Sequence, residues 1–229
     1  MIISHTHKFI FIKTVKTAGT SIEGFLSQHC GPDDVLTPIF PPIEGHEPRN
    51  YEGSVHPLSE ILRLPFGPVS AWRHISSQRQ RFYRHMPAWL VRVRVPSPIW
   101  NGYFKFCVDR NPWDKVLSHY HMTAHRQSGE LSLDQYLRRR KLPINYPRYT
   151  DSFGTRIIVD RVVRYENLID ELAGIFARLH IPFEGTLGIR AKGEYRADRT
   201  PYQSVFTPEQ RLLVQRIFAR EIELHGYRF

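Results

Sequence analysis

Residues 8–21, which read KFIFIKTVKTAGTS, decide the fold. The run from Lys8 to Lys13 is apolar at its centre and rich in β-forming residues, which predicts a buried central strand. A tight loop, residues 14–19, follows it. The apolar spacing of residues 20–26 then predicts a helix. A strand that leads through a tight loop into a helix is the arrangement that holds phosphate groups in many proteins.

The loop carries the residue types that anion binding requires. Small residues let successive backbone N–H groups turn toward one point, where the helix N-terminus adds partial positive charge. We expect a site for a terminal phosphate or a sulfate, although a βα turn with an incidental lysine is the plain structural alternative. The loop is not a Walker A motif, because its lysine precedes its glycine. The anion-site residues are Lys16, Thr17, Ala18, Gly19, Thr20 and Ser21.

The rest of the chain alternates strands with helices. We predict strands over residues 103–109 and 159–165, each followed by a helix, and a final helix that begins after Thr207 with a capping box. Gly226 is expected to end that helix. This order predicts an α/β fold of three layers, with a mostly parallel sheet flanked by helices. The 229 residues fit one domain, 1–229, in which residues 31–100 form a variable insertion.

The composition limits the classes of binding partner but does not select one of them. The formal net charge is +10, and residues 61–108 contain no Asp or Glu but eight Lys or Arg. Such a stretch attracts nucleotides, nucleic acid, anionic lipid or acidic polysaccharide, or is simply a solvated basic face. The two cysteines, Cys30 and Cys107, provide neither a disulfide framework nor a metal-ligand cluster, so we expect no metal. With no signal peptide and no apolar run of spanning length, a cytoplasmic location is the expectation.

Lys16–Ser21 closely resembles the 5′-phosphosulfate loop of the sulfotransferases that use 3′-phosphoadenosine 5′-phosphosulfate (PAPS). The usual form of that loop is Pro-Lys-Thr-Ala-Gly-Thr-Ser. This chain departs at Val15, where the family usually has Pro, and at Lys13, where His is common. The resemblance implies a P-loop-NTPase-like sulfotransferase fold, with PAPS as co-substrate and PAP, its 3′,5′-bisphosphate, as product.

A second motif extends the resemblance. In the family, a strand ends in Arg-Asn-Pro, and a Ser follows about eight residues after the Arg; here these are Arg110-Asn111-Pro112 and Ser118. The resemblance implies that Arg110 and Ser118 bind the 3′-phosphate, which distinguishes PAPS from ATP. A guanidinium fork suits a phosphate. Asp109 stands where an apolar residue is usual, and it either orients Arg110 or points into a polar pocket.

The C-terminal third continues the likeness, which is closest to the branch that contains carbohydrate sulfotransferases. Residues 160–168 resemble the family's Arg-Tyr-Glu-x-Leu segment, and the chain ends in a Phe-Gly-Tyr-like sequence. In the family, a loop before the last helix closes over the nucleotide. Lys192 and Arg196 occupy that place here and are weaker candidates for binding the 3′-phosphate or adenine.

The resemblance assigns Lys16 to the oxygen that leaves with the phosphate. Acceptor activation requires a base with a pKa near the working pH. We choose His56 as this base, with His46, Glu44 and Glu60 as alternatives. The simpler alternative is that His56 is only a structural histidine. Residues 31–100 would bind the acceptor, for which we expect a saccharide or glycolipid and no nucleic acid; peripheral contact with an anionic membrane stays open. The competing functions are an ATP-dependent P-loop phosphotransferase and a non-catalytic polyanion-binding protein.

Overall fold

A computed structural model of the chain describes residues 1–55, 80–127, 131–139, 141–188 and 200–229. The strands are β1 (Ile2–Ser4), β2 (Phe9–Ile12), β3 (Val35–Leu36), β4 (Phe104–Asp109) and β5 (Arg161–Arg164). The helices are α1 (Gly19–Ser27), α2 (Ala88–Arg94), α3 (Ser97–Gly102), α4 (Pro112–Arg126), α5 (Leu133–Arg138), α6 (Tyr146–Tyr149), α7 (Leu168–Arg178), α8 (Pro208–Ile217) and α9 (Ala219–His225).

The sheet is mixed rather than mostly parallel. Among the described residues its strand order is β3-β1-β2-β4-β5. The pairs β2–β4 and β4–β5 are parallel, while β1 runs antiparallel to both β2 and β3. The prediction missed β1 and β3. At three and two residues, they are too short to show a period in the sequence.

Alternating side chains of the central strands feed two separate cores. Phe9 and Phe11 of β2 pack with apolar residues of α1 and α7. Ile10 and Ile12 point to the opposite face and pack with residues of α2. Because successive side chains of a strand point to opposite faces, a strand that is apolar throughout must be covered on both sides. The predicted layered arrangement of sheet and helices is present.

The capping box predicted at Thr207 is present, but the single final helix that was predicted is two helices. The hydroxyl oxygen of Thr207 accepts from the backbone N–H of Gln210, and the side-chain oxygen of Gln210 accepts from the backbone N–H of Thr207. These two bonds form a capping box. The helix is interrupted at Phe218, however, and continues as α9. Gly226 ends α9 in the left-handed conformation, with φ of 62°. The sequence pattern alone does not show the break, because the apolar spacing continues through it.

Two kinds of feature are absent from the described residues. No helix there is long and apolar enough to cross a membrane. The same residues contain no group of three or more His, Cys, Asp or Glu side chains arranged to hold a metal ion.

Candidate active site

The two predicted phosphate motifs lie at the same edge of the sheet. Strands β2 and β4 are parallel neighbours, with Ile12 opposite Cys107. Their carboxyl ends therefore lie side by side, and the loop that follows β2 faces the Arg110 turn that follows β4. In open α/β sheets, ligands bind at the carboxyl ends of the strands.

The loop after β2 has an unusual backbone. Lys16 and Ala18 have positive φ values of 61° and 57°, although neither is glycine. This conformation costs a non-glycine residue about 1–2 kcal/mol, so the surroundings must hold it in place. Left-handed residues alternating with ordinary ones turn successive N–H groups to one side, as anion binding requires. Ala18 is also the N-cap of α1 and provides no side-chain capping bond.

Two threonines hold the loop from inside. The hydroxyl of Thr14 donates to the carbonyl oxygen of Val108, on the neighbouring strand. A hydroxyl has one proton, so Thr17 must be the donor in the 2.7 Å contact between the two threonine hydroxyls. The Thr17 side chain is thus used within the protein, and only its backbone N–H stays a candidate anion donor. Thr20 and Ser21 lie in the first turn of α1 and are both buried.

Gly19 is required by a buried lysine. The ammonium of Lys13 pairs with Glu23 of α1, and both side chains are buried. A Cβ on Gly19 would lie only 2.8 Å from Cγ of Lys13, closer than any normal contact. Lys13 is therefore an internal anchor between β2 and α1, and Gly19 leaves room for its stem.

The guanidinium of Arg110 joins the two motifs. Its Nη1 donates to the carbonyl oxygen of Lys16 at 3.3 Å. Its Nε and Nη2 donate to Oδ2 of Asp114 at 2.8 and 2.6 Å, and its face lies 4.2 Å from the ring centroid of Tyr165. Three of its five N–H donors make these contacts to described residues, so two are left to point elsewhere.

Ser118 lies on the side of α4 that faces the loop. Nζ of Lys16 lies 3.8 Å from Sδ of Met122. Met122 follows Ser118 by four residues, so the two share one face of the helix. Ser118 therefore lies on the helix that Arg110 leads into, one turn before the methionine that Lys16 contacts.

The Arg110 turn is held by the C-terminal residues. The N–H of Asn111 donates to Oε1 of Glu166 at 2.7 Å, and the hydroxyl of Tyr227 donates to the other carboxylate oxygen at 3.1 Å. The side-chain amide of Asn111 reaches the hydroxyl of Tyr202 at 3.2 Å. The family-like segments near residues 161–168 and 227 thus meet at this turn and fix its position.

Asp109 points into a buried polar cluster. Its side chain is fully buried and accepts from Lys115 at 2.7 Å, from Tyr149 at 2.8 Å and from Asn145 at 3.2 Å. Lys115 also pairs with Glu221, which is buried too. Asp109 additionally accepts from the backbone N–H of Arg110 at 2.8 Å. The two alternatives considered for Asp109 therefore both hold: its side chain lies in a polar pocket, and it also stabilises the Arg110 turn.

Several predicted residues lie outside the described residues, namely His56, Glu60, Lys192 and Arg196. Of the other candidates for the base, Glu44 is exposed. His46 is buried, and its Nε2 contacts the carbonyl oxygen of Thr37 at 3.0 Å. Burial lowers the pKa of His46 below its ordinary value.

Two other histidines lie near the loop, and the sequence did not single them out. Nδ1 of His85 contacts the carbonyl oxygen of Lys13 at 3.1 Å, and burial together with Lys13 lowers its pKa to about 3. Nδ1 of His119 contacts the hydroxyl of Tyr136 at 2.7 Å. Burial, then the charge of Lys16, lowers the pKa of His119 to about 4. Both imidazoles are neutral at neutral pH.

Part of the basic stretch is structural. Arg94 is buried and donates to the carbonyl oxygen of Arg81 at 2.7 Å. Lys105 is also buried and donates to the carbonyl oxygen of Tyr103 at 2.7 Å. Arg84 and Arg92 are exposed. The charge that faces solvent is therefore smaller than the sequence count indicates.

The comparisons with known proteins give one close sequence relative. No protein-family model matches the chain. An uncharacterized protein of Archaeoglobus fulgidus is 35% identical over an alignment of 103 residues, with 43% of this chain and 86% of that protein covered.

Two solved structures are similar overall. The mouse sulfotransferase SULT7A1 complexed with PAP has a TM-score of 0.45 and 11% identity, with 96% of this chain and 86% of that chain covered. A sulfotransferase from Alicyclobacillus acidocaldarius has a TM-score of 0.42 and 19% identity, with 93% and 92% covered. Both TM-scores are below 0.5, and no activity follows for this chain from either likeness.

Proposed function

We propose that this chain, which belongs to one family with the uncharacterized Archaeoglobus fulgidus protein, is a sulfotransferase that moves a sulfuryl group from PAPS to a hydroxyl of an acceptor, with a carbohydrate as the preferred class. The observation that carries the proposal is the contact between the two motifs, in which Arg110 reaches the carbonyl oxygen of Lys16. Two adjoining anion sites suit a ligand with phosphate at two positions, as PAPS has at its 5′ and 3′ carbons, whereas ATP carries phosphate at the 5′ position alone.

The loop would hold the 5′-phosphosulfate. Its backbone N–H groups, with the hydroxyls of Thr20 and Ser21, are the donors, and the ammonium of Lys16 supplies a full charge. In an in-line transfer, the bond between sulfur and the bridging phosphate oxygen breaks as the acceptor oxygen bonds to sulfur. Lys16 would neutralise the charge that develops on the leaving oxygen. Charge stabilisation of this kind is commonly the largest contribution to catalysis.

Arg110 and Ser118 would hold the 3′-phosphate. The guanidinium is fixed by Asp114 and by the face of Tyr165, so its two remaining N–H donors are oriented before a ligand arrives. Lys192 and Arg196 remain proposed further contacts to the nucleotide.

The proton of the acceptor hydroxyl goes to a base, and His56 remains the proposed residue. His85 is less suited to that role, because a pKa of about 3 makes it a weak base. The acceptor would lie against residues 31–100, whose exposed arginines Arg84 and Arg92 suit an acidic saccharide.

Transfer of labelled sulfur tests the proposal. The protein is incubated with PAPS carrying labelled sulfur and a panel of saccharide, lipid, small-molecule and peptide acceptors, beside a Lys16→Ala variant. We expect label on an acceptor with the wild type and at least a hundredfold less with the variant. A matched control is Lys141→Ala, which changes an exposed lysine.

Two results would favour the competing functions. Tight ATP binding with weak PAP binding would indicate a phosphotransferase. Polyanion binding that is unchanged in Lys16→Ala, without transfer of label by the wild type, would indicate a non-catalytic binding protein.

A further inference from the structure

Asn145 clamps the phosphate loop at the residue before Lys16. Its Oδ1 accepts from the N–H of Val15 at 2.8 Å, and its Nδ2 donates to the carbonyl oxygen of the same residue at 3.1 Å. The side-chain amide thus pairs with a backbone residue as a neighbouring strand would. Asn145 is fully buried and lies immediately before α6, far from the loop in sequence.

The amide of Asn145 has one orientation that fits. Nδ2 faces two acceptors, the carbonyl oxygen of Val15 and Oδ1 of Asp109 at 3.2 Å. A flipped amide would set its oxygen against a carbonyl and a carboxylate, and would leave the N–H of Val15 facing another donor. Buried groups of this kind are costly when they are left without partners, so the clamp is strongly oriented.

The backbone of Asn145 is also fixed. Oε1 of Glu221 accepts from its N–H at 2.6 Å and from the N–H of Tyr146 at 2.8 Å. Glu221 and Asp109 are joined by Lys115. The clamp therefore rests on a buried network that connects the last helix with the end of β4.

The clamp acts at the place where the loop backbone is strained. Val15 directly precedes Lys16, which has a positive φ of 61°. The same Asp109 that contacts Asn145 also accepts from the N–H of Arg110. The network thus contacts Val15, the residue before Lys16. It also contacts Arg110, whose guanidinium donates to the carbonyl oxygen of Lys16.

We propose that Asn145 is a positioning residue that holds Val15, and through it Lys16, in the conformation that binds the nucleotide. The identity of that nucleotide as PAP rests on the proposed function, whereas the effect on the loop does not. Val15 stands where the related loop usually has Pro. A proline has a fixed φ and no N–H, so it would need no such clamp. In this chain, Asn145 takes over the restriction that proline would impose.

Hydrogen exchange of the ligand-free protein tests the effect on the loop directly. In Asn145→Ala we expect the amide of Val15 to exchange about tenfold faster, because the acceptor of its buried hydrogen bond is lost, while the amides of residues 104–108 in the adjacent strand are unchanged. Asn145→Ser, which cannot span both groups of Val15, is the second variant if the alanine variant does not fold.

Asn50, an exposed residue beside β3, provides a control for the loss of hydrogen bonds. Nδ2 of Asn50 donates to the carbonyl oxygens of Pro32 and Asp34 at 2.7 and 3.0 Å. Asn50→Ala also loses two hydrogen bonds to backbone, and it adds the strain of an alanine at a φ of 54°, but it should leave exchange of Val15 unchanged. An equal acceleration in both variants would mean that the loop responds only to global stability, and would overturn the proposal.

Coupling to Val15 provides the decisive measurement. We compare the affinity for PAP of Asn145→Ala, Val15→Pro and the double variant by calorimetry. Asn145→Ala should weaken PAP binding about tenfold. If Asn145 acts through Val15, the double variant should bind no more weakly than Asn145→Ala alone, because the proline replaces the clamp. Losses that multiply would overturn the proposal.

Different results would refute the sulfotransferase function and the positioning role of Asn145. If the wild type does not bind PAP but the loop exchanges faster in Asn145→Ala, the sulfotransferase function fails and the positioning role stands. If PAP binds equally well to both proteins and loop exchange is unchanged, the positioning role fails and the function stands.

Discussion

Nη1 of Arg110 donates to the carbonyl oxygen of Lys16 across 3.3 Å, so the two motifs that the sequence separates by more than ninety residues are in direct contact. The contact links a backbone carbonyl of a strained loop to a guanidinium that Asp114 and Tyr165 hold in place. A change in either motif should therefore affect the binding of the same ligand.

Arg110→Lys should reduce the preference for a 3′-phosphate. Lysine keeps the charge but loses the fork of donors. We expect PAP to bind 10- to 100-fold more weakly, equivalent to about 1.5–3 kcal/mol, while adenosine 5′-monophosphate, which lacks the 3′-phosphate, changes much less. Calorimetry with both nucleotides measures this, and Arg92→Lys, at an exposed arginine, is the control. An equal loss for both nucleotides would contradict the assignment of Arg110 to the 3′-phosphate.

Gly19→Ala should destabilise the protein by about 2–4 kcal/mol, because the new methyl group meets the stem of Lys13 and disturbs its buried pair with Glu23. The matched control is Gly174→Ala in α7, where nothing lies within 4 Å of the added atom. That change should stabilise the helix by about 0.5–1 kcal/mol. Urea unfolding measures both, and a shift of the same sign in the two variants would refute the packing argument.

Glu221→Gln should change how stability depends on pH. Burial, then the charge of Asp109, raises the pKa of Glu221 from 4.5 to about 7. The folded state then binds more protons than the unfolded state between these values, so this group's contribution to stability is lost as pH rises through that window. Relative to the variant, the wild type should lose up to about 3 kcal/mol between about pH 4.5 and 7.

The difference in unfolding free energy between wild type and Glu221→Gln isolates this effect. Buried neutral histidines such as His85 and His119 have lowered pKa values and act in the opposite direction, but they are present in both proteins. A difference that stays constant from about pH 4.5 to about pH 8 would show that Glu221 is ionised throughout.

Lys16→Met should raise the pKa of His119. Burial is the main reason that this pKa is low, and the nearby charge of Lys16 is the second. Removing the charge should move the pKa upward while leaving it below the ordinary value, because the burial remains. Titration of the imidazole by NMR measures it, with Lys141→Met as the control at an exposed lysine. An unchanged pKa would place the ammonium of Lys16 away from α4.

The sequence predicted the strand–loop–helix unit and the Arg110 turn because their signals are local. An apolar run of β-forming residues, a loop of small residues and a capping box each depend on neighbours in sequence. The predicted strands at residues 8–13, 103–109 and 159–165 correspond to β2, β4 and β5.

The residues that the sequence did not reveal depend on distant partners. Asn145 lies in a segment without a motif, and only the folded chain brings it to Val15. The direction of Asp109 was undecided for the same reason, because its partners Lys115 and Tyr149 are spread along the chain. The mixed sheet was missed because β1 is set by pairing with β2 and β3 rather than by a pattern of its own.

The pairing of β2 with β4 also has a consequence for how the chain acquires its native state. Phe9 lies opposite Phe104, so a nascent polypeptide cannot complete the central pair of strands until nearly half of its length has been synthesised. Contacts of such long sequence separation slow folding, because a large loop must close before they form. The contact between the loop after β2 and the Arg110 turn is therefore a late product of folding, and refolding should restore helical circular dichroism before it restores the proposed nucleotide binding.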